Sequence, residues 1–187
     1  MRPWRLLLLI IGLAIHGAAF AAPAQVVLLS HAEKPDKGND LSKAGRARAE
    51  SLQRLFGSDL RLLEHGRIAA IFAMKPGSAS GSLRAIETMQ PTADALHVEM
   101  EIRFTRDEVN ALAKAVLGDP RFDGKTVVIC WEHRVIPAIA VALGWKNPPA
   151  HWDDDTYDRL WLIDFKDGKP IAFHDLPQRL MPGDTGM

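Results

Sequence analysis

Two short apolar runs constrain this chain more than any other feature. Gln25-Val26-Val27-Leu28-Leu29 passes through Ser30 into His31, and Thr126-Val127-Val128-Ile129-Cys130 passes through Trp131 and Glu132 into His133. Consecutive apolar residues, several of them β-branched, read as strands buried on both faces, as in parallel sheets covered by helices. The polar break at Ser30 and the stop at Pro35 favour strand over buried helix for the first run. Open α/β sheets keep their chemistry at the carboxyl ends of the strands. One histidine after a strand is more often structural than catalytic. Two such ends in one small domain make a site around His31 and His133 the better reading.

The intervening pattern fills in the layers. Ser42 is an N-cap for a helix whose Leu41, Gly45, Ala49, Leu52 and Phe56 form a buried stripe, with Arg46, Arg48, Glu50 and Arg54 as a solvated face. Residues Arg67 to Ala73 form the next strand. It empties into the small-residue loop Lys75 to Ser82, which lacks the Lys-Ser or Lys-Thr of a nucleotide-binding P-loop. Ser82 is placed to cap a second helix, with a kink or restart expected at Pro91. Arg84 lies in that helix's first turn, where the dipole favours anions, so a cation there implies an anion that it serves.

Thr105 to Glu108 spells a capping box, and the apolar period behind it ends at Gly118. Pro137 opens a helix carrying Ile136, Ile139, Ala140 and Leu143, closed by Gly144. His133 therefore falls just ahead of a helix N-terminus, a setting that suits anions. Arg159 to Phe165 and Pro170 to His174 flank Lys166-Asp167-Gly168-Lys169 as a hairpin. The segment Pro148 to Tyr157, with its three consecutive aspartates, shows no metal-ligand spacing and reads as a solvated loop. The tail after Pro177 reads as irregular. The fold class expected is α/β, with a mostly parallel central sheet, helices on both faces and a C-terminal β-hairpin.

The 187 residues suit one domain, and 23 basic residues against 23 acidic ones argue against nucleic-acid or membrane binding through net charge. Residues 1–21 read as a secretory signal peptide, with an uncleaved anchor as the lesser alternative: a basic start at Arg2 and Arg5, an apolar run from Leu6 to Phe20, and small residues before a cleavage point near Ala21. That leaves 22–187 as a single domain of charge about −2, expected in a periplasm or outside the cell and free of the membrane once cleaved. Cys130 is the only cysteine, so no internal disulfide forms.

These landmarks, in this order, resemble the histidine phosphatase superfamily, the phosphoglycerate-mutase-like group. Its first strand runs into Arg-His-Gly or Arg-His-Ala, here Ser30-His31-Ala32. Its Leu-Ser-x-x-Gly-x-x-Arg-Ala helix start is matched at Leu41, Ser42, Gly45, Arg48 and Ala49, and its Ser-x-Arg-x-x-x-Thr-x-x-Pro pattern at Ser82, Arg84, Thr88 and Pro91. The second histidine is matched at His133. Trp131-Glu132-His133 with Ile136-Pro137, and Trp152 with Tyr157-Asp158-Arg159-Leu160, look like one bacterial branch.

The resemblance implies phosphoryl transfer without metal or cofactor, on a small-molecule phosphate ester or a phosphate-like anion. His31 would be the nucleophile, and Arg84 and His133 would hold and neutralise the phosphoryl oxygens. An acid must protonate the leaving oxygen; Glu132 is adjacent, with Glu33, Glu99 and Glu101 as rivals. One position departs from the pattern. The arginine that precedes the nucleophile in the family is Ser30 here, and a hydroxyl replaces neither its charge nor its forked donors. Losing one such contact costs on the order of 2–5 kcal/mol, or roughly thirty- to several-thousand-fold in rate. Arg134, Lys34 or Lys75 could compensate. Two readings follow: an exported phosphatase with an altered clamp, or a weakened relative that binds a phosphorylated or anionic ligand or a protein.

Overall fold

The computed structural model describes residues 22–78 and 81–185. Residues 1–21, which the sequence suggests are a signal peptide, lie outside them. The two apolar runs form the central strands β1 (Gln25–Ser30) and β4 (Thr126–Trp131), paired in parallel with Ser30 opposite Trp131. Every residue of both strands is buried. Successive side chains point to opposite faces of a sheet, so burial along a whole strand means that both faces are covered. β2 (Ala70–Ala73) and the two-residue β3 (Met100–Glu101) extend the parallel part. β5 (Arg159–Lys166) and β6 (Lys169–Pro177) add an antiparallel edge, giving the order β3-β2-β4-β1-β5-β6. The mixed, mostly parallel α/β sheet and the C-terminal hairpin agree with the pattern of the sequence. Asp167 and Gly168 at the hairpin turn both have positive φ, the two-residue geometry that matches strand twist.

The helices α1 (Lys43–Ser58), α2 (Arg84–Leu96), α3 (Val109–Gly118) and α4 (Ile136–Ala142) pack in two pairs, α1 with α2 and α3 with α4. Ser42 caps α1 as expected, accepting from the Gly45 N–H at 3.0 Å. The start of α1 lies against the segment that follows His31. The Ser42 N–H donates to the Glu33 carbonyl at 2.9 Å, and a Cβ on Gly45 would meet that carbonyl oxygen at 2.3 Å. Glycine is what allows this approach.

Several elements differ from their expected form. Arg48 does not face water: it is 4% exposed, and its guanidinium bonds Glu33, Gln178 and Asp184. Helical period cannot show that residues 130 or more positions away close over one face. The N-cap position of α2 is Leu83, one residue after Ser82, and its N–H is taken by the Asn39 carbonyl at 3.1 Å; Ser82 Oγ still accepts from the Arg84 N–H, at 3.4 Å. The helix runs unbroken through Pro91, whose missing N–H frees only one carbonyl while Ala85, Thr88, Met89, Thr92 and Ala93 stay buried along it. The Thr105–Glu108 box closes a turn rather than opening a helix: the Glu108 carboxylate accepts from the Thr105 N–H at 2.7 Å, and α3 begins after it. His133 starts a 3₁₀ turn (His133–Val135) that leads into α4. The tail is irregular, yet Gln178 and Asp184 within it are buried.

Candidate active site

The parallel pairing of β1 with β4 puts both strand-end histidines at one edge of the sheet. The His31 N–H donates to the Trp131 carbonyl at 3.1 Å, and His133 follows two residues later. Their ring centroids are 6.2 Å apart with the planes at 76°, and both residues are buried, at 3% and 4% exposure.

His31 Nδ1 lies 2.8 Å from the Ala32 carbonyl oxygen. A carbonyl only accepts, so Nδ1 carries the proton and the Nε2 lone pair is left for attack. The Ala32 N–H in turn donates to Thr88 Oγ1 at 2.9 Å, and the Thr88 hydroxyl donates to the Arg84 carbonyl at 2.6 Å. Arg84, the first residue of α2, directs its guanidinium to the carbonyls of Asp40 and Gly38. Leu41 N–H to Glu87 Oε2, at 2.6 Å, ties the same loop to the helix. Burial pushes the His31 pKa below its ordinary value. The Ala32 hydrogen bond works against this, and the positive charges of Arg84, His133 and Lys34 add to it. The neutral, nucleophilic form is therefore favoured.

His133 Nε2 lies 2.8 Å from Asp154 Oδ1 and 3.5 Å from Glu132 Oε1. Asp154 Oδ2 also accepts from Arg134 at 2.8 Å, and that bond, with the charge of His133, holds the Asp154 carboxyl below the usual range. His133 Nδ1 is enclosed and has no protein partner among the described residues. Glu132 accepts from Arg106 Nε at 3.0 Å and from the Arg134 N–H at 3.4 Å.

The structure thus brings His31, His133, Arg84 and Lys34 together, with Glu132 and Arg134 beside His133. Ser30 is adjacent, but its hydroxyl donates to the His31 carbonyl at 2.8 Å. Lys75 is exposed, and its charge acts on Glu108. Glu33 Oε1 is taken by Arg48, while its Oε2 is enclosed with no partner among the described residues. Glu99 and Glu101 pair with Arg121 at the β3 edge, remote from His31.

Sequence reasoning gave no site role to Asp154 or Tyr157. The Tyr157 ring lies 6.3 Å from that of His31, tilted by 36°. Burial, with the Asp155 charge behind it, raises the phenol pKa, against a backbone hydrogen bond from Lys34. Its place as the chain's only tyrosine, next to the hairpin, was the available signal. Asp154 sits in a charge run that looks solvated, and no local spacing marks it. Among the described residues no group of three or more His, Cys, Asp or Glu is arranged to hold a metal ion.

No family model and no curated protein matches the sequence. Solved structures do match. The protein histidine phosphatase SixA, complexed with tungstate, superposes with a TM-score of 0.56 at 15% identity, over 82% of this chain and 97% of that one. A mycobacterial glucosyl-3-phosphoglycerate phosphatase gives 0.51 at 14% identity, over 82% and 97%. Phosphoglycerate mutase from Plasmodium falciparum gives 0.52 at 11% identity, over 84% and 92%. These matches show the fold: the chain has the fold of the histidine phosphatase superfamily.

Proposed function

We propose that the protein is an exported phosphatase that hydrolyses a phosphomonoester through a phosphohistidine intermediate on His31. The observation that carries this reading is the state of His31. It is a buried imidazole whose Nδ1 proton is fixed on the Ala32 carbonyl, beside Arg84, Lys34 and His133. His31 Nε2 attacks phosphorus while the cations offset charge on the phosphoryl oxygens, and water then hydrolyses the phosphohistidine. The fold-mates bound to tungstate and to VO3 are consistent with an oxyanion in such a site. Export rests on the basic and apolar composition of residues 1–21. N-terminal sequencing of protein recovered outside the cytoplasm should start near Ala22 or Pro23; a soluble cytoplasmic protein retaining Met1 would contradict export.

Ser30 supports a second reading, a weakened relative that binds an anionic ligand. Hydrolysis of an aryl phosphate by purified protein, with and without a chelator, separates the two. The phosphatase reading expects turnover indifferent to the chelator. Vanadate or phosphate binding without turnover would favour the binder.

A further inference from the structure

We infer that His133 protonates the leaving oxygen, with Asp154 as the positioning residue that makes it a proton donor. The inference rests on the phosphohistidine reading and supplies the acid that reading lacks. The glutamates weighed as acids each hold an ion pair: Glu132 with Arg106, Glu33 through Oε1 with Arg48, Glu99 with Arg121, and Glu101 with Arg103 and Arg121. His133 has the complementary arrangement. The Asp154 carboxylate takes Nε2 at 2.8 Å; a carboxylate only accepts, so that nitrogen keeps its proton. Asp154 also accepts from Arg134 at 2.8 Å, a pair with both side chains half or more exposed, and that bond favours its ionised form. Nδ1 is left enclosed without a partner among the described residues, a costly state for a buried polar atom unless a ligand completes it. A carboxylate on one imidazole nitrogen and a reacting group on the other is the arrangement by which a histidine is oriented for proton transfer and its imidazolium stabilised.

His31 Nε2 forms a bond to phosphorus as the bond from phosphorus to the leaving oxygen breaks, and the Nδ1 proton of the His133 imidazolium passes to that oxygen. Water then attacks the phosphohistidine and gives its proton to His133 Nδ1. Inorganic phosphate leaves, His31 is neutral again, and His133 is again protonated. In an in-line displacement the leaving oxygen lies across phosphorus from the nucleophile, so the acid must stand off from His31 rather than touch it. Ring centroids 6.2 Å apart fit that requirement.

The test is leaving-group dependence, which separates an acid from a group that merely binds or supports. Asp154→Asn and Asp153→Asn are assayed in the full mature chain on p-nitrophenyl phosphate, whose phenolate leaves without a proton, and on β-glycerophosphate, whose alkoxide needs one. Asp154→Asn is expected to lower kcat a few-fold on the aryl ester and about a hundredfold or more on the alkyl ester, the scale of general acid catalysis. Asp153, which pairs with His151 at the surface, should leave both rates unchanged on conversion to Asn. Equal losses on the two esters would overturn the inference and make Asp154 a structural latch. Faster turnover would also overturn it, showing that the carboxylate occupies the phosphoryl group's place. If the wild type forms phosphohistidine at His31 but shows no such contrast, only this inference fails. If it hydrolyses neither ester, the inference falls with the reading beneath it.

Discussion

The backbone N–H of Ala32 donates to the hydroxyl oxygen of Thr88 at 2.9 Å, and this contact joins the two halves of the site. On one side the Ala32 carbonyl holds the His31 ring; on the other the Thr88 hydroxyl holds the backbone of Arg84 at 2.6 Å. Thr88→Val removes both bonds and strands a buried N–H, at a cost of about 1–3 kcal/mol in stability. Turnover on an aryl phosphate should fall at least tenfold, and Thr88→Ser should restore most of it. Full activity in Thr88→Val would show that the link does not set the geometry.

Where the resemblance implies an arginine, at Ser30, Lys34 is the cation best placed to stand in for it. It is half-buried and its charge acts on His31, whereas Arg134 is exposed and bound to Asp154. Burial, and then positive neighbours, disfavour the protonated imidazole, so His31 should stay neutral, and kcat/KM should hold, to below the free-histidine value of about 6.5. Lys34→Met should move this acid limb upward and weaken inhibition by vanadate. An unchanged pH profile with unchanged inhibition would contradict the assignment.

Ser30→Arg tests the same point from the other side. Ser30 is 3% exposed and its hydroxyl is bonded to the His31 carbonyl. An arginine must break that bond and find room, so it should lower stability and raise turnover less than tenfold. A larger rise would mean that the native clamp is simply missing.

Arg48 ties the C-terminal tail to the segment behind the nucleophile. Burial opposes its charge, but the bonds to Asp184 and Glu33 outweigh it and raise its pKa. Asp184 is likewise opposed by burial, yet its bonds from Arg48, Leu180 and Met181 hold its carboxyl below the usual range. Arg48→Met should cost about 3–5 kcal/mol by leaving buried carboxylates unpaired. A carboxyl with a depressed folded pKa stabilises fully above its unfolded value of about 3.9 and loses that contribution as pH falls further. Urea denaturation at neutral and acid pH measures both effects. A neutral-pH loss under 1 kcal/mol would contradict the tail's role.

The sheet was legible because β1 and β4 are apolar throughout and each ends in a histidine, and because Asp167-Gly168 marks the hairpin. Ser42 and Gly45 likewise announce α1. β3 was not legible, since two residues carry no period. Arg48 was misread, and Asp154 was given no role, for one shared reason. Each is a charge in a charged stretch whose partner lies far away in sequence: Asp184 helps bury Arg48, while Asp154 stays half exposed and bonds His133. The site's backbone frame could be read from the strands, but its polar connections depend on the tertiary fold.

The most direct test of the account is to trap the intermediate. The protein is exposed briefly to a phosphomonoester labelled in its phosphoryl group, quenched in alkali and digested. The account predicts label on the peptide carrying His31, lost in acid, absent from His31→Ala and indifferent to a chelator. Label on a serine, or turnover that survives His31→Ala undiminished, would contradict it.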